Sequence, residues 1–228
     1  MQKILCFLAL LPTSSASFLS MYEFLPVYDQ GSASTCTLHA TSSAIDYLIM
    51  RHYPMLEMDI NRDLVIQQLY QNNNVDIQDI KNNLPVLIHS ISNQFECEKL
   101  DLIQNLNFFE VTKNDLHALI DNNVPIVLEI DLVKEFNDCD ANSFHIDRSS
   151  ASTRGVHSVL IIGYDSDHTM WIHNSWGSAW GLNGRAIFTQ NFLNQYGKRA
   201  YAMRYEKPKK LFDLDFHCNN SFCNILKY

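Results

Sequence analysis

Between Thr37 and Met50 the apolar residues Leu38, Ile45, Leu48 and Ile49 recur at helical spacing with almost no charge between them, which predicts a helix buried on most sides. The stretch Asp59–Gln71 predicts a second helix, closed by Asn72-Asn73-Asn74. From Asp76 to Phe109, Pro85 and scattered asparagines point to short helices and loops. Thr112 and Asp115 then form a capping box ahead of Leu116, Leu119 and Ile120, and Asn122-Asn123 ends that third helix. After Pro125 the pattern becomes strand-like: Ile126–Ile130, Val156–Tyr164, Thr169–His173, Arg185–Thr189 and Tyr201–Tyr205. The polar region 138–154 reads as a long surface loop between strands. Helices first and strands later argue for an α+β protein and against alternating βαβ units.

The amino terminus carries Lys3 followed by eight apolar residues, Ile4 to Leu11, then Pro12 and small residues with Ser14-x-Ala16 as a cleavage pattern. Residues 1–17 read as a signal peptide, the alternative being the first element of the domain. Eight apolar residues fall well short of the roughly 20 that span a bilayer, so no membrane span is expected. Removal of this segment implies a secreted or lysosome-like setting; its retention implies a cytoplasmic one. The expected domain then covers residues 18–206, and residues 207–228 form a tail.

Composition narrows the function classes. With 228 residues, 46% hydrophobic and 18% charged, the chain suits one folded unit and not a disordered segment. Its 25 acidic residues outweigh 17 basic ones for a net charge of −8, so a nucleic-acid partner is excluded. Six cysteines without any C-x-x-C pair suit neither a disulfide-built miniprotein nor a zinc site. His217, Cys218 and Cys223 in the tail lack a fourth ligand, and no metal or cofactor is expected. Asn219-Asn220-Ser221 is a glycosylation pattern that matters only in a secretory pathway. A monomer is expected.

The chemistry sits in three separated segments. Tyr28-Asp29-Gln30-Gly31-Ser32-Ala33-Ser34-Thr35-Cys36-Thr37 sets Cys36 at the mouth of the first helix, where the dipole and free N–H groups favour a thiolate. A lone cysteine there needs a base, and His157, near the start of the strand Val156–Tyr164, is the best placed of nine histidines. If Asp165-Ser166 make a two-residue hairpin loop, Tyr164 pairs with Asp167 and His157 faces Asn174, near enough for the carboxamide to orient the imidazole. His173, on the opposite face, is then a bystander. Asn174 opens the block Asn174-Ser175-Trp176-Gly177-Ser178-Ala179-Trp180-Gly181.

Together, Gln30 six residues before Cys36, the strand Gly155-Val156-His157-Ser158-Val159 and the Asn-Ser-Trp-Gly block resemble the papain-like cysteine peptidase family, of the C1 type. His157 and Asn174 follow Cys36 by 121 and 138 residues, near the family's spacing of about 130–150. The resemblance runs from about Leu25 to Thr189. It implies a two-subdomain α+β fold, a helical half followed by an antiparallel sheet or barrel half with the cleft between them. It further implies Cys36 as nucleophile, His157 as general base and later acid, Asn174 as the group holding the imidazole, and Gln30 as oxyanion-hole donor. Trp176 and Trp180 resemble the tryptophans that shield the Asn–His bond. The expected activity is hydrolysis of peptide bonds in a protein or peptide substrate through a thioester.

Departures point to a divergent branch, similar to bacterial and viral members. Papain's Cys-Gly-Ser-Cys-Trp is replaced by Ala33-Ser34-Thr35-Cys36-Thr37, which lacks the upstream cysteine and the tryptophan after the nucleophile. The helical half also lacks the Cys-x-Gly-Gly that shapes substrate subsites, and activation by removal of a long propeptide is not expected. Two rivals keep the same residues: acyl transfer to an amine, as a transpeptidase or acyltransferase, and a catalytically degenerate member kept as a binding or structural component.

Overall fold

The first long helix explains its own lack of charge. In the computed structural model α1 runs Cys36–His52, and every side chain from Thr37 to Met50 is buried, Asp46 being the one acidic residue among them, while Arg51 and His52 stand at its exposed end. There they meet the negative end of the helix dipole, and the Arg51 guanidinium also donates to the carbonyl of Asn123, 2.5 Å away. The structure describes residues 15–20, 22–52, 105–147 and 153–206. Most of the expected signal segment, the helix over Asp59–Gln71, most of the Asp76–Phe109 stretch, Cys97, and the tail with His217, Cys218 and Cys223 lie outside the described residues.

The strands are β1 (Ser17–Phe18), β2 (Leu106–Val111), β3 (Ile126–Asp131), β4 (His145–Ile146), β5 (Val156–Tyr164), β6 (Met170–His173), β7 (Arg185–Phe188) and β8 (Gly197–Tyr205). They form one sheet in the order β2-β8-β3-β5-β6-β7-β4, with β1 added against β5. Three short α-helices, α2 (Leu116–Asp121), α3 (Lys134–Asn137) and α4 (Gln190–Tyr196), and two 3-10 turns, Tyr22–Phe24 and Lys113–Asp115, complete the described chain. α1 packs across β5 and β3, and for that reason both central strands are near-continuous apolar runs instead of alternating ones. The core is one cluster joining α1 to the sheet.

Several expectations need correction. The sheet is not wholly antiparallel, because β4 pairs with β7 in parallel. β4 also lies inside the expected surface loop, where Ile146 and Cys139 are buried. The β5–β6 turn is not a two-residue loop: Tyr164 pairs with Met170 and Leu160 with His173, with an irregularity between Ile161 and Gly163. The turn is instead gathered around Asp165, whose carboxylate accepts from the backbone N–H groups of Asp167 and Thr169 and from the Thr169 hydroxyl. The expected capping box holds in part: the Asp115 carboxylate accepts from the Thr112 N–H at 2.9 Å. On β5, Gly163 is required by close approach, since a Cβ there would stand 2.1 Å from the ring of Phe18.

Candidate active site

Cys36 is the first residue of α1, so its backbone N–H lies in the helical turn that has no internal acceptor. The preceding Thr35 starts the helix through its carbonyl, which accepts the His39 N–H at 3.0 Å. Helix geometry therefore leaves the thiol half-exposed. The neighbouring residue is enclosed: Thr37 is buried, and its hydroxyl lies 3.0 Å from the hydroxyl of Ser158 on β5. Ser158 follows His157, so this bond brings the start of α1 to the strand that carries the imidazole.

His157 is buried at 3% exposure, and its Nε2 lies 2.7 Å from Asn174 Oδ1. A carboxamide oxygen only accepts, so Nε2 carries the hydrogen and Nδ1 keeps the lone pair. The ring is thereby fixed in the tautomer whose free nitrogen is a base. Its surroundings are aromatic: the rings of Trp176 and Phe136 stand 4.8 and 5.1 Å from the imidazole. Burial pushes the imidazole down to about 4, against the smaller opposite pull of the Asn174 bond. The pocket alone favours the neutral ring.

Asn174 reaches His157 by a route other than the expected facing pair. β6 ends at His173, and the chain turns there, the Asn174 N–H donating to the Gly184 carbonyl at 2.9 Å. His173 is buried and within 3.1 Å of the Pro26 carbonyl, where it ties the segment before Cys36 to the sheet. Gln30 is brought to the same place by backbone pairing. Its N–H donates to the Ser175 carbonyl at 2.8 Å, and the Gly177 N–H donates to the Tyr28 carbonyl at 2.9 Å. Its side chain is oriented twice: Oε1 accepts from the Ser175 hydroxyl at 2.6 Å, and Nε2 donates to the Ala33 carbonyl at 2.6 Å. Because the Ala33 carbonyl only accepts, the amide is not free to turn over, and one Nε2 hydrogen remains for another acceptor. Gly177 adopts a left-handed φ of 76° with the Asp29 carboxylate close by, a place where a side chain meets strain and crowding together.

Trp180 acts one layer further out than expected. Its ring contacts Phe136 at 4.7 Å and Trp176 at 6.0 Å, and its indole N–H donates to the Phe136 carbonyl at 2.8 Å. Phe136, fully buried on α3, is the residue sequence reasoning missed. A four-residue helix is too short to show periodicity, and the only signal was one aromatic residue set among Lys134, Glu135 and Asn137. Cys139 lies just beyond, also buried; burial first, then the charge of Asp140, pushes its thiol up to about 12. The two cysteines among the described residues, both unpaired, thus differ sharply in access. Among the described residues no cluster of three metal-ligating side chains occurs, and no helix is long and apolar enough to cross a membrane.

Comparison with known proteins adds to this geometry. The model of the Peptidase_C39 like family matches residues 22–203. Among solved structures, the chain is similar to xylellain, a cysteine protease from Xylella fastidiosa, with 18% identity, a TM-score of 0.64, and coverage of 84% of this chain and 86% of that one. It is also similar to the digestive procathepsin L 3 of the Tenebrio molitor larval midgut, with 16% identity, a TM-score of 0.59, and coverage of 85% and 71%. No curated protein sequence matches the chain. The structural likenesses identify the fold as papain-like, α+β in two subdomains.

Proposed function

The chain belongs to the Peptidase_C39 like family, and from that membership we propose that it cleaves peptide bonds with Cys36 as nucleophile and His157 as its base. The observation that carries this reading is the buried bond from His157 Nε2–H to Asn174 Oδ1, which leaves Nδ1 as the basic nitrogen. In the first step Nδ1 takes the proton of the Cys36 thiol as the sulfur attacks the substrate carbonyl carbon. Because burial disfavours the charged ring, the imidazolium depends on the anionic sulfur and then the oxyanion as counter-charge. The free Nε2–H of Gln30 and the Cys36 N–H supply the donors for that oxyanion. As the C–N bond breaks, Nδ1–H passes its proton to the leaving amine and a thioester remains. Water then gives a proton to Nδ1 and attacks the thioester, and the carboxylic acid departs as sulfur regains its proton.

The aromatic shell supports this chemistry by keeping water from the Asn174–His157 bond, which strengthens in a low-dielectric setting. The test uses iodoacetamide and fluorescein-labelled casein. Cys36 is expected to alkylate much faster than Cys139, with the rate at Cys36 falling at least about tenfold in His157→Ala, and casein cleavage is expected to require both residues. Equal labelling of the two thiols, or casein cleavage that survives Cys36→Ala, contradicts the proposal.

A further inference from the structure

The thiol and the imidazole stand on different elements, 121 residues apart, and something must hold those elements in register. We propose that the Thr37–Ser158 hydroxyl pair is a positioning device that sets the start of α1 against β5 and thereby sets Cys36 against His157. This inference rests on the peptidase reading of the same site.

Three observations carry it. Both hydroxyls are buried, Thr37 at 7% and Ser158 at 2% exposure, and they lie 3.0 Å apart. Each follows directly in sequence a residue of the proposed chemistry, so the bond links α1 to β5 one residue away from both Cys36 and His157. The Thr37 oxygen also lies 3.9 Å from the Cys36 sulfur. A hydroxyl donates one hydrogen and accepts others, which gives the pair two settings. With a protonated thiol, Thr37 is free to donate to Ser158. With an anionic sulfur, Ser158 donates to Thr37 and Thr37 turns its hydrogen to the sulfur. Thr37 also occupies the position at which papain-like sequences with Cys-Gly-Ser-Cys-Trp carry an aromatic ring. A packed ring fixes a helix start by shape; a hydroxyl pair fixes it by direction and distance, which packing alone does not reproduce.

The test separates positioning from stability. Thr37→Val and Ser158→Ala each strand one buried hydroxyl, and both variants are expected to lower the unfolding midpoint and the Cys36 reaction rates together. The double variant leaves an apolar pair, so its unfolding midpoint is expected to recover toward wild type. Its iodoacetamide rate at Cys36 and its turnover of labelled casein are expected to stay reduced by about tenfold, with KM unchanged, because the alignment is lost. Thr37→Ser, which keeps the hydroxyl, is expected to restore both rates. A folded double variant reacting within about twofold of wild type overturns the positioning role while leaving the peptidase reading intact. A wild-type protein whose Cys36 reacts no faster than Cys139 overturns both, so the two failures are told apart.

Discussion

The thiol's end of the candidate site and the imidazole's end are built in opposite ways. Cys36 follows a run of small residues, Gly31-Ser32-Ala33-Ser34, and stands half-exposed on the first turn of α1, with main-chain turns as its support. His157 is enclosed by Phe136 and Trp176, bonded to Asn174 and carried on a central strand. The difference teaches what each group needs. In the proposed chemistry a nucleophile must meet a substrate, so exposure is required of it; a base must keep one tautomer and one orientation, so exclusion of water is.

The largest effect that sharpens this contrast comes from removing either group. Cys36→Ala and His157→Ala are each expected to lower casein cleavage by at least about 10⁴-fold. Only the histidine change is expected to shift the unfolding midpoint strongly, because it leaves a cavity under two aromatic rings. Equal destabilisation by both would break the contrast. Next in size, Gln30→Ala is expected to lower kcat by about 10²–10³ with little change in KM, as loss of an oxyanion donor does.

The third expectation concerns pH. His157 binds a proton less readily in the folded protein, at about 4, than at its ordinary value of 6.5, so acidification favours the unfolded chain. This contribution is intact above about pH 6.5 and declines as pH falls through about 4, by about 3 kcal/mol in total. Urea unfolding at pH 7, 5 and 4 is expected to show that loss in wild type and a flatter dependence in His157→Gln; equal slopes would mean that the pocket does not hold the ring neutral. The smallest effect belongs to Cys139, behind the aromatic shell. Cys139→Ala is expected to leave iodoacetamide labelling of Cys36 unchanged and to cost about 1 kcal/mol of stability, measured by the same unfolding.

The segments that bear the site were readable because each had its own local cause. Helical spacing marked α1, apolar β-branched runs marked β3 and β5, and the motif residues Gln30, Cys36, His157 and Asn174 stood in plain sequence. Register was not readable. The β5–β6 turn contains His168 in a left-handed conformation, with φ of 61°, a state that sequence usually announces by glycine or asparagine. Asp165 stabilises that turn through its carboxylate, so Asp165-Ser166 resembled a shorter loop. His157 still meets Asn174 because the chain bends after His173, and the bond forms between a strand residue and a turn residue. Phe136 escaped notice for a different reason: its role comes from what α3 packs against, which no local pattern encodes. β2 was hidden in the same way, its alternation of buried Leu106 and Phe108 with exposed Asn107 obscured by neighbouring asparagines.

The position of β8 has a consequence in time. It is the last described strand in the chain, yet it lies between β2 and β3, pairing with both. As the polypeptide emerges from the ribosome, β3 lacks its β8 neighbour and β2 lacks its one partner among the described residues until Gly197–Tyr205 arrives. Cys36 leaves the tunnel more than a hundred residues earlier. Throughout that interval the thiol exists without the completed sheet that carries His157, so the growing chain holds Cys36 before the two sides of the candidate site can meet. Assembly of the long-range pairs is the slow part of such folding, so the candidate site is completed only after the last of these strands has been made.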